Sequence, residues 1–346
     1  MSRADRFLNA CRGLPVDRTP IWIMRQAGRY LPEYRAVRGK VPFLTLCKTP
    51  DLATEVTLQP VEILGVDAAI LFSDILLVCE AMGMELILED QGPQFPSPLK
   101  SRADVDNLHV PDPERELAFV PEAVRRIRRA LDGKVPLIGF CGAPWTLAAY
   151  MIEGKTSRSF EKAKAMLLGD DGLAEALLGK LSDALVLYLN AQLAAGAQAV
   201  QIFDSWAGAL GPEDYARLGA PYIARIIRGL KRDLNQPVIV FGVETGELLG
   251  QLAQTGANVV GVDWRVPLDQ ARGRVGASVA LQGNLDPTSL FLPRAKLEQR
   301  ARRVLEQADL AGGSHIFNLG HGILPGTPVE GAQALVELVH AHSPAR

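Results

Sequence analysis

The sequence predicts an α/β protein built as a single (β/α)8 TIM barrel. Three observations carry that reading. Eight short apolar, β-rich runs recur along the chain. Helical patterns separate most of them. Polar residues gather directly after the runs, where a barrel of this kind builds its site.

The runs are Ile21–Met24, Ala68–Phe72, Pro136–Phe140, Ala199–Phe203, Val238–Phe241, Val259–Val262, Val279–Gln282 and His315–Leu319. Between them, Leu181–Ala195 carries leucine and alanine at helical spacing and stops at Gly196. Glu247–Thr255 reads as a short helix that stops at Gly256, and Glu62–Leu64 runs into Gly65 just before the second strand. A glycine past a helix end supplies the left-handed cap that turns the chain into the next strand. Strands alternating with helices imply parallel pairing through right-handed crossovers. An open doubly wound sheet is the alternative, weakened because no GxGxxG follows the first run. Gln91–Pro113 carries five prolines and reads as a long excursion within one domain spanning 1–346, rather than as a linker.

Composition narrows the function classes. Hydrophobic residues make up 48% and charged residues 22%, an ordinary globular balance. The net charge of −2 argues against a broad nucleic-acid footprint. Cys11, Cys47, Cys79 and Cys141 form no CxxC pair, which predicts neither a disulfide framework nor a zinc site, and Cys79 and Cys141 read as core. The N-terminal segment lacks the apolar stretch of a secretory leader, and the uncharged run Ala184–Phe203 breaks at Gly196 into helix and strand. No membrane span and a cytoplasmic location are therefore expected.

The strand ends supply the candidate site. Arg25, Gln26, Ala27, Gly28 and Arg29 follow the first run, with Arg35 and Arg38 close behind. Guanidinium forks pair with carboxylates bidentately, so this cluster suggests a polyanionic ligand as readily as an exposed helix face. Asp74 follows the second run. It is placed to cap the next helix, or to face the mouth as an acceptor-only carboxylate. Asp204 and Ser205 stand between a structural and a site role in the same way, and the Tyr150 hydroxyl fits a core hydrogen bond as readily as a site. His321 lies between Gly320 and Gly322 after the last run, a strand-end position that favours a site role. By contrast, Arg125, Arg126, Arg128 and Arg129 read as a solvated helix face, and His109, His340 and His342 as surface residues. His315 lies at the start of its strand, the wrong end for a site.

Longer blocks carry a resemblance. Pro20-Ile21-Trp22-Ile23-Met24-Arg25-Gln26-Ala27-Gly28-Arg29-Tyr30-Leu31-Pro32-Glu33 and Ile138-Gly139-Phe140-Cys141-Gly142-Ala143-Pro144-Trp145-Thr146-Leu147 resemble the two signatures of uroporphyrinogen decarboxylases. Phe72–Leu76, Leu281–Pro287 and Asn318–Gly322 match further blocks in the same order. The resemblance implies decarboxylation of uroporphyrinogen to coproporphyrinogen on the route to haem, without metal or cofactor, by a homodimer with facing mouths. The chemistry of that reaction gives the expected catalytic pair: Asp74 to stabilise a cationic pyrrole and Arg25 to hold the reacting carboxylate. The resemblance implies substrate binding by Arg25, Gln26, Ala27, Gly28, Arg29, Arg38, Asp74, Tyr150, Ser205 and His321, with Ser205 in the block where the family varies. Three other readings stand beside it. A corrinoid-dependent methyltransferase-like barrel would need a His-x-Cys and a later cysteine, and no cysteine follows Cys141. A tetrapyrrole carrier would use the arginines but not Asp74. A phosphate-binding isomerase barrel finds support only in Gly320 and Gly322.

Overall fold

The computed structural model describes residues 1–89, 92–233 and 235–342. The predicted start of the excursion at Gln91, and the last four residues of the predicted domain, lie outside the described residues. Nine strands are described: β1 (Ala69–Ile70), β2 (Ile87–Glu89), β3 (Gly92–Gln94), β4 (Leu137–Gly142), β5 (Ala199–Asp204), β6 (Val238–Gly242), β7 (Val259–Gly261), β8 (Ala280–Leu285) and β9 (His315–Leu319). β1 and β4 to β9 form one parallel sheet in that order, and β2 and β3 form a separate hairpin.

The predicted first strand, Ile21–Met24, shrinks to one bridge at Ile21, yet it still closes the barrel. Ile21 pairs in parallel with Phe317 of β9. Phe317 N donates to Pro20 O at 2.8 Å and Trp22 N donates to Phe317 O at 3.3 Å. On the other side Asp67 N, just before β1, donates to Ile21 O at 2.7 Å. Beyond Trp22 the ladder ends because side chains take over the backbone. Gln26 Oε1 accepts from Ile23 N at 3.1 Å, and Asn318 Oδ1 accepts from Met24 N at 2.9 Å. The predicted second strand is also shortened, since Phe72 N is claimed by Thr57 Oγ1 at 3.0 Å.

The helices follow the expected scheme. Pro50–Leu64 ends at Gly65 in the left-handed region, φ +72°. Asp171–Ala194 contains most of the predicted helix and gives way to β5 through Gly196. The predicted Glu247–Thr255 helix divides into a 3-10 turn, Gly246–Leu248, and an α-helix, Leu249–Gln254. The proline-rich excursion holds β3 and the helix Arg102–Asn107, while β2, the other strand of the hairpin, lies before its predicted start.

The barrel interior is filled rather than open. Trp22 Nε1 donates to Gln282 Oε1 at 2.9 Å, and Gln282 Nε2 donates to Gln201 Oε1 at 3.1 Å. All three side chains are buried, so this polar chain spans a packed core. Two surface expectations are corrected. His340 is only 18% exposed, because Asp67 Oδ2 takes its Nε2 at 2.7 Å. Arg128 is half-buried, its stem packed over Gly196 at the turn into β5. All four cysteines are buried and free, and burial pushes their thiols well above the ordinary range.

Candidate active site

A cavity of about 450 Å³ opens at the carboxyl ends of the strands. Arg25, Ala27, Asp74, Tyr150, Ser205 and His321 all line it. Six of the ten positions named from sequence therefore meet in one place, although they come from widely separated parts of the chain. Arg29 and Arg38 line a neighbouring pocket of about 200 Å³. The hairpin residues Leu88 and Pro93 border both pockets. Gln26 and Gly28 line neither. The Gln26 amide is fully buried between Ile23 N and Ala68 O. At Gly28 a Cβ would lie 2.9 Å from Arg25 O, so glycine keeps that turn tight.

Arg25 is set by its backbone. It holds φ +64°, a region that residues with a Cβ rarely enter. Two hydrogen bonds flank that conformation, Met24 N to Asn318 Oδ1 and Gln26 N to Ile23 O. The Arg25 side chain then lies over Gly322. A Cβ there would sit 2.4 Å from Arg25 Cδ. Gly320 plays the same part for the neighbouring backbone, since its Cβ would sit 2.3 Å from Trp264 N. The two glycines around His321 thus make room for Arg25 and Trp264.

Asp74 faces the cavity but does not cap the next helix, Leu77–Ala81, whose N-cap is Leu76 with no side-chain hydrogen bond. Oδ1 instead accepts from Leu76 N at 2.8 Å, two residues on, and closes a local turn. Oδ2 makes no hydrogen bond among the described residues and is left toward the cavity. Burial raises the Asp74 pKa, opposed by the Leu76 N–H and by the charge of Arg25. A partly desolvated carboxylate with a free oxygen is an acceptor for converging N–H donors.

The far wall is aromatic. Tyr150 meets Trp206 edge-on at 5.8 Å, and Trp206 packs on Phe160 at 4.9 Å. Trp145 Nε1 donates to Trp206 O at 2.8 Å and fixes the loop. Below it, Asp204 accepts from Thr146 Oγ1 at 2.6 Å and from Tyr215 OH at 2.8 Å. Asp204 therefore supports the wall without lining the cavity. Burial raises the Tyr150 pKa, as does the Asp74 charge, against hydrogen bonding to Trp206 and Thr156 and the charge of Arg25. Burial and the nearby Arg25 charge hold the His321 pKa below the usual imidazole range. At neutral pH both rings act as uncharged hydrogen-bonding groups.

The sequence reading missed part of the lining. Phe140, Phe203 and Phe241, from the ends of three successive strands, stack edge-on at 5.6 and 6.2 Å and line the cavity. Four consecutive apolar runs end in phenylalanine, Phe72, Phe140, Phe203 and Phe241, all of which line the cavity, and that recurrence is the available signal. Leu88 and Pro93 had none, because their hairpin lies over the mouth only through tertiary packing.

The family profile for uroporphyrinogen decarboxylase (URO-D) matches residues 2–342. A uroporphyrinogen decarboxylase from Myxococcus xanthus is 57% identical over 338 residues, covering 98% of this chain and 96% of that one. Those from Trichlorobacter lovleyi and Idiomarina loihiensis are 53% and 49% identical, over 97% and 99% of this chain and 98% and 96% of theirs. Among solved structures, a methyltransferase from Methanosarcina mazei superimposes with a TM-score of 0.81 at 22% identity, covering 99% of each chain, a likeness of fold alone. Among the described residues no three His, Cys, Asp or Glu side chains gather as a metal-holding group. With a matching profile across nearly the whole chain and relatives this similar over their full length, the chain belongs to the uroporphyrinogen decarboxylase family.

Proposed function

We propose that this barrel, a carboxy-lyase, removes carbon dioxide from the four acetate side chains of uroporphyrinogen III to give coproporphyrinogen III. The observation that carries the reading is Asp74, a carboxylate with one oxygen free in a cavity that also holds Arg25. The substrate presents four central pyrrole N–H groups and eight peripheral carboxylates. Asp74 Oδ2 suits the converging N–H donors. Arg25 suits the reacting acetate, and Arg29 and Arg38 suit carboxylates that extend past Leu88 and Pro93. Tyr150, Ser205 and His321 offer neutral hydrogen bonds to the remainder, while Gln26, Ala27 and Gly28 shape the turn that presents Arg25.

In the reaction, a proton adds to a ring carbon of one pyrrole and leaves the ring cationic. The bond from the acetate methylene to its carboxylate then breaks. Carbon dioxide departs, and the electron pair neutralises the ring as an exocyclic methylene. That methylene takes up a proton to become the methyl group as the ring carbon gives its own back. Asp74 stabilises the cationic ring, an electrostatic effect greatest in the transition state. A guanidinium is a poor acid at neutral pH, so Arg25 holds the carboxylate rather than supplying the proton. The pyrrole itself is the electron sink, and the scheme calls on no cofactor.

Two further parts of the proposal concern the whole protein. The functional unit is a homodimer with facing mouths, supported by exposed Phe291 and Leu324 in the segments that follow β8 and β9. The location is the cytoplasm, supported by the reduced cysteines. No helix among the described residues is long and apolar enough to cross a membrane.

Anaerobic incubation with enzymatically made uroporphyrinogen III, with products separated by carboxylate number, tests the activity. Stepwise conversion from eight to four carboxylates is expected. Tight binding without loss of any carboxylate would replace the enzyme with a carrier.

A further inference from the structure

Beside the catalytic mouth lies a second and larger groove, of about 680 Å³. Its floor follows the ends of β7 and β8, with Trp264, Val266 and Leu285 among its walls. Its outer bank is one face of the helix Arg294–Ala311, which turns Lys296, Arg300 and Arg303 toward it. These three cations form no ion pair among the described residues. The other arginines of the same helix do: Arg294 meets Glu337 at 2.9 Å and Arg302 meets Glu298 at 2.8 Å. On this helix the arginines away from the groove are thus neutralised, while the cations along it are bare. The one acid lining the groove, Asp286, is occupied by Thr288 N and Oγ1 at 2.9 and 2.7 Å.

The groove and the catalytic cavity share a wall. Trp264 lines the first and His321 the second, and their rings meet edge-on at 6.2 Å. Arg265 covers the Trp264 ring, its Cζ 4.1 Å from the centroid. The groove thus combines apolar and aromatic surface with uncompensated positive charge, next to a site proposed to take an octacarboxylate.

We infer that this groove is a second binding site for polycarboxylated tetrapyrroles, which holds partly decarboxylated intermediates at the mouth between turnovers. The inference rests on the proposed substrate class. Four acetates must reach one Arg25 in turn, so the macrocycle has to be lifted and turned between steps. Each intermediate still carries at least five carboxylates. A cationic surface one ring pair away raises its local concentration and favours rebinding over escape.

The test uses the full-length protein and oxidised uroporphyrin, a fluorescent octacarboxylate that cannot be decarboxylated in this way. Wild type is expected to bind two molecules per chain, the weaker with strong salt dependence. The triple variant Lys296→Glu, Arg300→Glu, Arg303→Glu is expected to weaken that site roughly tenfold or more, since three exposed charges are reversed. Its rate on the first acetate at saturating substrate stays at the wild-type value, and free seven- to five-carboxylate intermediates rise severalfold at limiting enzyme. One molecule per chain in wild type overturns the inference. So does an unchanged intermediate profile in the variant. A change in the variant's sedimentation coefficient overturns it too, by making the groove a subunit contact. Failure of the wild type to decarboxylate at all sinks the proposed reaction instead, and the porphyrin stoichiometry still reports on the groove.

Discussion

The Arg25 side chain occupies the space that a Cβ on Gly322 would fill, with Cδ only 2.4 Å from that position. One glycine on the last strand's loop thereby sets the direction of the arginine that follows the first strand. Gly322 has no left-handed φ, so alanine is tolerated there by the backbone. Gly322→Ala is expected to fold with near wild-type Tm and to push Arg25 aside. Misplacing a catalytic group by about an ångström can lower rate on the order of a hundredfold. The check is kcat/KM beside thermal unfolding, and a fall of both together would make Gly322 a folding residue only.

At the opposite end of the barrel, Asp67 ties together three separate parts of the chain. It accepts from Arg6 Nη1 at 2.9 Å, from Ile21 N at 2.9 Å and from His340 Nε2 at 2.7 Å. Burial raises its pKa, but the His340 hydrogen bond and charge, the Ile21 N–H and Arg6 outweigh it, and the folded value lies below the ordinary one. The stability this contributes is therefore fully present above the ordinary carboxylate range, and is lost as pH falls through the depressed folded value. Asp67→Asn takes a charged acceptor from Arg6 Nη1, while Arg6 keeps Asp17 at 2.7 and 2.8 Å, and is expected to cost about 1–3 kcal/mol. Urea unfolding at pH 7 measures it, with kcat unchanged while the protein remains folded.

Asp204 has the opposite sign. Burial pushes its pKa up to about 6, against the hydrogen bonds from Thr146 and Tyr215. Its contribution is present below the ordinary carboxylate range and is lost as pH rises through about 6. Asp204→Asn is expected to remove this pH dependence and to raise Tm at pH 8. Asp204→Ala leaves the Tyr215 hydroxyl unpaired and the Thr146 O–H without its acceptor, although Thr146 Oγ1 still accepts from Trp206 N at 3.1 Å, and should destabilise by about 1–3 kcal/mol, loosening the Trp206 wall. Equal effects of the two changes would contradict this account.

Much of this was legible before the fold. Seven of the eight apolar runs contain or become sheet strands, because buried parallel strands read as continuous apolar stretches. The first run closes the barrel through one residue only, since Gln26 and Asn318 side chains take the hydrogen bonds that Ile23 and Met24 would have offered. Residues at strand ends converged as expected, but their reasons did not show in sequence. The glycines beside His321 serve Arg25 and Trp264, a relation between chain segments about 300 residues apart for Arg25. His340 looked like a surface histidine because nothing near it in sequence reveals Asp67. The basic groove was equally hidden, as its walls and its cationic bank come from different βα units.

The central claim is that an ionised Asp74 receives the pyrrole N–H groups and stabilises the cationic ring. Because burial raises its pKa, turnover should decline on acidification earlier than an ordinary aspartate would require. Removing the charge tests the claim most directly, through anaerobic turnover and porphyrinogen binding by Asp74→Asn. The account predicts a loss of roughly a hundred- to a thousandfold in kcat with binding largely retained. It also predicts a more stable fold at neutral pH, since a buried charge is gone. Turnover within a few-fold of wild type would contradict it, and would move the electrostatic role to another group.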